Sequence, residues 1–321
     1  MISSAPARWR FLGTATGIIA IAALAALPFL VDAYMLHWAI TVLKFAVLTL
    51  AWDILARTGQ VSFGHAAFFG LGAYVAVLAS STLGLGQILS MLVAGVVAAG
   101  LATCLSALFF RVRGIYFAIL TLAFAEVLKV CATMLTGMTG GAMGLSARPL
   151  FGGDAVKSYF FILILALFTI VTMWLLSRTR YHFGITAMRS SPEVAAAFGI
   201  PVVPIRTIAY SVSAGLTGVV GAFYAFYTTY INPESAFDVA ISVAPVIMSI
   251  FGGLYSIAGG IIGAVTLTLL QEYLRTTFEY GSLIVYGLLL IVSILFMPKG
   301  VWGLVSGLAS RQRSPAREVA S

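Results

Sequence analysis

Charge is what this sequence has least of. Asp, Glu, Lys and Arg make up 9% of its 321 residues, against roughly 25% in soluble domains, and a water-facing surface cannot be assembled from so few. Cysteine is nearly absent too. Cys104 and Cys131 each sit inside an apolar run without metal-ligand spacing, which excludes a disulfide scaffold and a thiolate metal centre and leaves them as small apolar residues expected in the interior. There is no GxxxxGK[ST] phosphate-binding loop, no HExxH and no GxSxG, so the residues for ATP hydrolysis or for the commoner hydrolytic chemistries are missing. No catalytic residue, metal ligand or cofactor is expected.

Apolar residues are what the chain does contain: 61% of the total, with a mean hydropathy of +1.07. The apolar runs are long and continuous instead of short and alternating, which excludes a transmembrane barrel and leaves helices. A spanning helix needs about 20 predominantly apolar residues, and reading runs between polar breaks gives about ten transmembrane helices: 12–31, 35–56, 62–82, 88–110, 115–135, 158–176, 207–227, 239–257, 260–275 and 283–297. The span at 260–275 is the shortest. The expected fold is therefore an all-α integral membrane protein with a membrane bundle over 12–303, an inner loop over 177–206 and a tail over 304–321. The first span could also be read as a cleaved signal peptide, but its length exceeds a normal signal core and favours retention.

The formal net charge of +8 is not a nucleic-acid footprint, because the basic residues sit singly at the ends of apolar runs. With the N-terminus inside, Arg8, Arg10, Arg57, Arg111, Arg113, Arg178, Arg180, Arg189, Arg206, Lys299, Arg311, Arg313 and Arg317 fall on the inner side. Only Arg148, Lys157 and Arg275 fall outside. Lysine and arginine accumulate in cytoplasmic loops, so both termini are expected in the cytoplasm.

Two loops stand out. The outer one, 136–157, is rich in glycine (Gly137, Gly140, Gly141, Gly144, Gly152, Gly153) and suits a turn-rich segment that could meet a partner outside the cell. The inner loop carries a helix-forming stretch over 187–198. Ser190 or Ser191 can cap it, Pro192 suits its first turn, Glu193 complements the helix dipole, and Gly199 with Pro201 ends it. Ala195, Ala196 and Ala197 give a face of little bulk, which fits either docking into a groove of another protein or lying on lipid headgroups.

The run Glu193-Val-Ala-Ala-Ala-Phe-Gly199 resembles the EAA-type loop of ABC importer permeases, although the Ile and Leu-Pro that follow in that motif are not clearly present at 201–205. The resemblance implies an ATPase-contacting segment of Met188, Arg189, Glu193, Ala195, Ala196 and Gly199. Gly59-Gln-Val-Ser-Phe-Gly-His-Ala-Ala-Phe-Phe-Gly-Leu-Gly-Ala-Tyr74 is similar to the signature of branched-chain amino acid permeases. Thr139-Gly-Gly-Ala-Met-Gly-Leu145, Tyr286-Gly-Leu-Leu-Leu-Ile-Val292 and Pro298-Lys-Gly300 resemble the LivM branch of that family. Together these segments cover most of 38–303. Membership would imply an inner-membrane importer subunit working with a homologous LivH-type permease chain, two ATP-binding subunits and a periplasmic substrate-binding protein. Its cargo would be a branched-chain amino acid or a related small polar solute.

Read without the family, Gly59 and Gly64 permit a broken helix, while Gln60, Ser62 and His65 place polar groups at membrane depth. Gly252 and Gly253 belong to a second glycine-interrupted stretch. If spans 35–56 and 207–227 begin two pseudo-repeated, inverted halves, these interruptions correspond and point to a translocation pathway; the sequence echo between the halves is weak, and ordinary small-residue packing is the favoured explanation. Ionisable groups within spans cost roughly +2.5 to +3.5 kcal/mol at a helix centre on insertion scales and need partners or a wet cavity. Glu126 and Lys129 can pair at i,i+3, and Asp53 and Arg57 at i,i+4. Both pairs are read as structural, with a pathway role as the alternative. Lys44 has no sequence-local partner and must find one on another helix or subunit. An ion-gradient-driven transporter or channel is the competing reading of these buried charges.

Overall fold

The computed structural model describes residues 21–178, 181–277, 287, 291 and 300–303. Much of the expected span 12–31, nearly all of 283–297 and the 304–321 tail lie outside those residues. Within them, eight helical segments are long and apolar enough to cross a membrane. In chain order the helices are α1 (Ala33–Ala56), α2 (His65–Thr82), α3 (Gln87–Phe109), α4 (Ile115–Met134), the short α5 (Thr136–Thr139), α6 (Ala155–Arg178) and α7 (Tyr181–Ser190). After them come α8 (Pro192–Ala197), α9 (Val202–Thr228), the short α10 (Pro233–Ala236), α11 (Val239–Gly252) and α12 (Ile257–Thr277). The spans are α1 to α4, α6, α9, α10 with α11, and α12.

Two boundaries moved for physical reasons. The expected span 62–82 begins only at His65, because residues 57–64 leave the helix around Gly59, whose φ is +81°. The span 239–257 stops at Gly252, where the Gly253 backbone turns to φ +123°. The span first read as short is a full 21-residue helix, α12. Among the described residues the all-α expectation is broken by one ribbon, β1 (Leu145–Ser146) paired antiparallel with β2 (Tyr230–Ile231).

Close approach of glycines sets the centre of the bundle. A methyl group at Gly72 of α2 would collide with the Gly218 carbonyl of α9, and one at Gly221 with the Phe69 carbonyl. In lipid, where apolar surface alone does not drive helices together, such small-residue contacts let dispersion act over a whole helix face. Accordingly α2 and α9 bury 67% of their spanning windows, whereas α4 and α6 bury only 28% and form the perimeter. Cys104 on α3 and Cys131 on α4 are exposed on this perimeter, not interior as expected; a thiol is apolar enough to face lipid.

The loops 57–64, 110–114, 179–201 and 253–256 all fall at one end of the alternating helices. Arg57, Arg111, Arg113, Arg189 and Arg206 gather there, and we call it the arginine-rich end. The opposite end carries the ribbon and the glycine-rich loop.

Candidate functional site

Between α6 and α9 the chain folds back at the arginine-rich end as α7 and α8. The stretch expected as one helix is two. Pro192 disfavours helical geometry at the residue before it, and Ser191 is extended (φ −156°, ψ 108°) with its hydroxyl accepting the Val194 N–H at 3.3 Å. Gly199, at φ +78°, ends α8, and the Ile200 N–H returns to the Ala195 carbonyl at 3.1 Å.

This fold sorts the six residues first assigned to partner contact. Met188 and Ala195 are buried with Ile205 in a small core of their own, so they hold the loop together and offer no surface. Arg189, Glu193, Ala196 and Gly199 are exposed. So are Val194 and Phe198, the latter at 82%, and the sequence reading passed over both. An apolar residue just before a terminal glycine was the available signal. Glu193 pairs with Arg113 of the 110–114 loop. Both side chains are about three-quarters exposed, and such pairs contribute roughly 0–1 kcal/mol.

The loop rests on the 57–64 segment. A Cβ on Gly59 would come within 3.3 Å of the Arg189 Cα and 3.4 Å of the Met188 carbonyl oxygen, so only glycine satisfies both the backbone angle and the approach of α7. Arg206 donates to the Thr58 carbonyl at 3.4 Å. The remaining polar groups of this segment are buried ties. Trp52 Nε1 donates to the Ser62 carbonyl at 2.8 Å, the Phe63 N–H to Thr121 Oγ1 at 3.1 Å, and the Gly64 N–H to Ser62 Oγ at 3.1 Å. His65 Nε2 meets Ser213 Oγ at 2.9 Å, and the Ala66 N–H donates to Ser242 Oγ at 2.8 Å. One short segment thereby ties α1, α2, α4, α9 and α11 together.

A second link runs from α7 to the 253–256 turn. The Arg189 guanidinium stacks 4.3 Å from the Tyr255 ring centroid. Tyr255 has φ +66°, a conformation costing a non-glycine residue roughly 1–2 kcal/mol. What holds it there is Asp53, whose Oδ1 accepts the Tyr255 N–H at 3.1 Å, and Arg57, which donates to the Tyr255 carbonyl at 2.7 Å. Asp53 and Arg57 themselves pair at 3.1 Å, as their spacing suggested, and Ser249 of α11 adds a 3.5 Å contact. Neither Tyr255 nor its bond to Asp53 was visible in the sequence, because they lie 202 positions apart. A cavity of about 210 Å³, lined by Arg57, Arg189, Tyr255 and apolar residues of α1, α6 and α9, opens beside this node.

The expected pathway residues fall into three groups. Gln60, Ser62, Gly64 and His65 are together and buried in the tie described above. Gly252 and Gly253 pack against Gly259, where a methyl at Gly252 would strike the Gly259 carbonyl. Glu126 and Lys129, half-buried on α4, form no ion pair within 4 Å among the described residues, contrary to expectation. On a perimeter helix their long side chains can diverge. None of these eight lines the cavity beside Tyr255, nor a second cavity of about 250 Å³ between α1, α9 and α12. That second cavity holds Lys44, which finds its neighbours on other helices: the Tyr224 ring of α9 at 5.1 Å, and Glu272 of α12 across the cavity.

Residues 34–294 match the sequence profile described as branched-chain amino acid transport system / permease component. The chain is 27% identical over 304 residues to the high-affinity branched-chain amino acid transport system permease protein LivM of Salmonella typhimurium strain LT2. It is equally similar to LivM of Escherichia coli strain K12, each match covering 85% of this chain and 71% of the relative. A solved chain of PsaBC from Streptococcus pneumoniae in complex with Fab superposes with a TM-score of 0.45 at 15% identity, over 82% of this chain and 91% of that one. That superposition is too loose to carry weight; the profile match spans most of the bundle, and by it this chain belongs to the branched-chain amino acid transport permease family, a multi-pass transport subunit of the ABC type and not an enzyme.

Proposed function

We propose that this permease imports branched-chain amino acids or a closely related small polar solute, driven by ATP that two separate subunits hydrolyse. A homologous permease chain and a periplasmic binding protein complete the importer. In this reading the arginine-rich end is cytoplasmic, as the basic loop residues favour, and both termini lie there too. The exposed surface of α8, Glu193 to Gly199, docks on an ATPase. The two interruptions, 57–64 and 253–256, lie at the same end of the bundle, whereas inverted halves would carry corresponding interruptions at opposite ends, so these two work as neighbours at one face and not as counterparts of an inverted repeat.

The observation that carries the reading is the seating of α7 on both interruptions at once, through Gly59 and through Arg189 on Tyr255. Motion delivered to α8 has a short rigid route to the ends of α1, α2, α11 and α12. A transport bundle with no motor of its own needs such a route. The test is co-purification with binding-protein-dependent uptake in proteoliposomes. Wild type should retain the ATPase and transport only with ATP; Glu193→Arg and Gly199→Trp should lose both. Uptake that continues undiminished without the ATPase would instead favour a gradient-driven carrier.

A further inference from the structure

The cavity beside Tyr255 has two kinds of wall, divided by depth. Its floor is apolar: Ile54 of α1, Met173 of α6, and Ile205, Ile208 and Ala209 of α9, the last about two turns into that helix. Its rim, at the arginine-rich end, carries Arg57 and Arg189, and among the described residues no acidic side chain lines it. Arg57 is answered by Asp53 at 3.1 Å. Arg189 is exposed, and its guanidinium stacks on the Tyr255 ring with no hydrogen bond or ion pair among the described residues, so the rim keeps one unanswered positive charge. On the lipid-facing side of the same stretch of α6, Trp174 is 45% exposed and the Arg178 guanidinium stacks on its ring at 4.5 Å. Exposed tryptophan at the end of a span marks the headgroup level of a bilayer. Met173 then lies on the tail side of that boundary, and Ser177, with the two rim arginines, on the head side.

We propose that this cavity holds an anionic phospholipid, its phosphate on Arg189 and one acyl chain on the apolar floor. The two walls select it together. A free phosphate could meet Arg189 but would leave the floor, too apolar to hold ordered water, unfilled. A neutral hydrocarbon would fill the floor and leave the guanidinium unused. A zwitterionic lipid brings a cation of its own to a rim that is already positive. Basic pockets between spanning helices hold anionic headgroups in membrane proteins, and this one has its charge at headgroup depth and its apolar surface at tail depth. Ile208 lines the floor and is also 49% exposed on α9, which gives a chain a sideways way in. At about 210 Å³, below the roughly 300–1,000 Å³ of pockets that enclose drug-sized ligands, the cavity seats part of one chain and not a whole lipid. The site requires only a surrounding bilayer and is independent of the solute carried and of an ATPase at α8.

The test uses the full chain, with whatever subunits co-purify, in phosphatidylcholine nanodiscs containing a small fraction of phosphatidylglycerol that carries a diazirine in one acyl chain. After illumination, the labelled peptides are mapped by mass spectrometry. Label should concentrate around Met173 and residues 205–209, above the level on the perimeter helix α4. Unlabelled phosphatidylglycerol at a tenfold excess should cut that label about tenfold, whereas sn-glycerol 3-phosphate should leave it, and a diazirine phosphatidylcholine at the same fraction should mark the perimeter alone. Arg189→Ala should lower the cavity label about tenfold, the loss of one charge-assisted contact, and Arg189→Lys should restore most of it; the exposed position lets both variants fold. The proposal is overturned if label spreads evenly over the perimeter helices, if the phosphatidylcholine probe marks the cavity equally, if glycerol phosphate competes as the lipid does, or if Arg189→Ala changes nothing. Label that appears only after the co-purifying subunits are stripped away would also overturn it, and would give the cavity to a protein partner.

Discussion

Two groups of charges are strung along α1, and they are built in opposite ways. Near the arginine-rich end Asp53 is enclosed by Arg57, Ser249 and the Tyr255 backbone, each of its oxygens engaged. Further up the same helix Lys44, with neither hydrogen bond nor ion pair among the described residues, looks across an open cavity at Glu272, which is paired with Arg275 at 3.2 Å. The closed group fixes backbone: it keeps a tyrosine at positive φ and joins α1 to the turn between α11 and α12. The open group fixes nothing. The enclosed charge in this bundle is architecture, whereas the half-buried Lys44 facing an open cavity holds no backbone in place.

The contrast can be broken most forcefully at Asp53. Asp53→Ala leaves Arg57 and the strained Tyr255 turn without their acceptor, and removing one member of a buried pair costs about 3–5 kcal/mol. Folded yield by size-exclusion chromatography after graded heating should collapse, with Asp53→Asn intermediate. Gly59→Ala should cost less, about 1–2 kcal/mol for the left-handed backbone, with added displacement of α7; a melting temperature equal to wild type would show that the 57–64 segment does not need its observed path. Smaller again is Arg189→Ala, which forfeits a stacking contact of about 0.5–1 kcal/mol at this exposed position. Its larger consequence should be functional: binding-protein-stimulated ATP hydrolysis that no longer produces proportionate uptake. Arg189→Lys should restore part of the coupling and Arg189→Glu none. At the far end of the scale, Lys44→Met should leave heat stability unchanged or slightly raised, since an unpaired cation costs energy in the bundle. A loss of stability matching that of Asp53→Ala would erase the distinction between the two groups.

Much of the bundle was legible in advance because lipid imposes so simple a rule. The apolar runs gave the spans from α1 to α12 to within a few residues, and Asp53 with Arg57 could be paired from spacing alone. Ser191, Pro192 and Gly199 announced the limits of α8, though not that Pro192 would divide the segment. What sequence spacing could not supply was everything that depends on distant helices: Tyr255 beneath Arg189, Ser213 against His65, Glu272 across from Lys44. The i,i+3 relation of Glu126 and Lys129 misled, because spacing permits a pair without requiring one. Alanine richness misled in the same way at Ala195, which small size suits to an internal contact as well as to an external one.

The pairing of Arg113 with Glu193 places a weak, solvent-exposed tie at the surface first expected to receive force. Both groups stand in solvent, where about 0.15 M salt confines electrostatic reach to roughly 8 Å, so this clasp softens as ionic strength rises, whereas the Met188–Ala195–Ile205 core beneath it is indifferent to salt. On the proposed docking of an ATPase, the segment would serve as a stiff lever with a releasable latch: a partner that competes for Glu193 would free the outer edge of α8 without loosening its grip on α7.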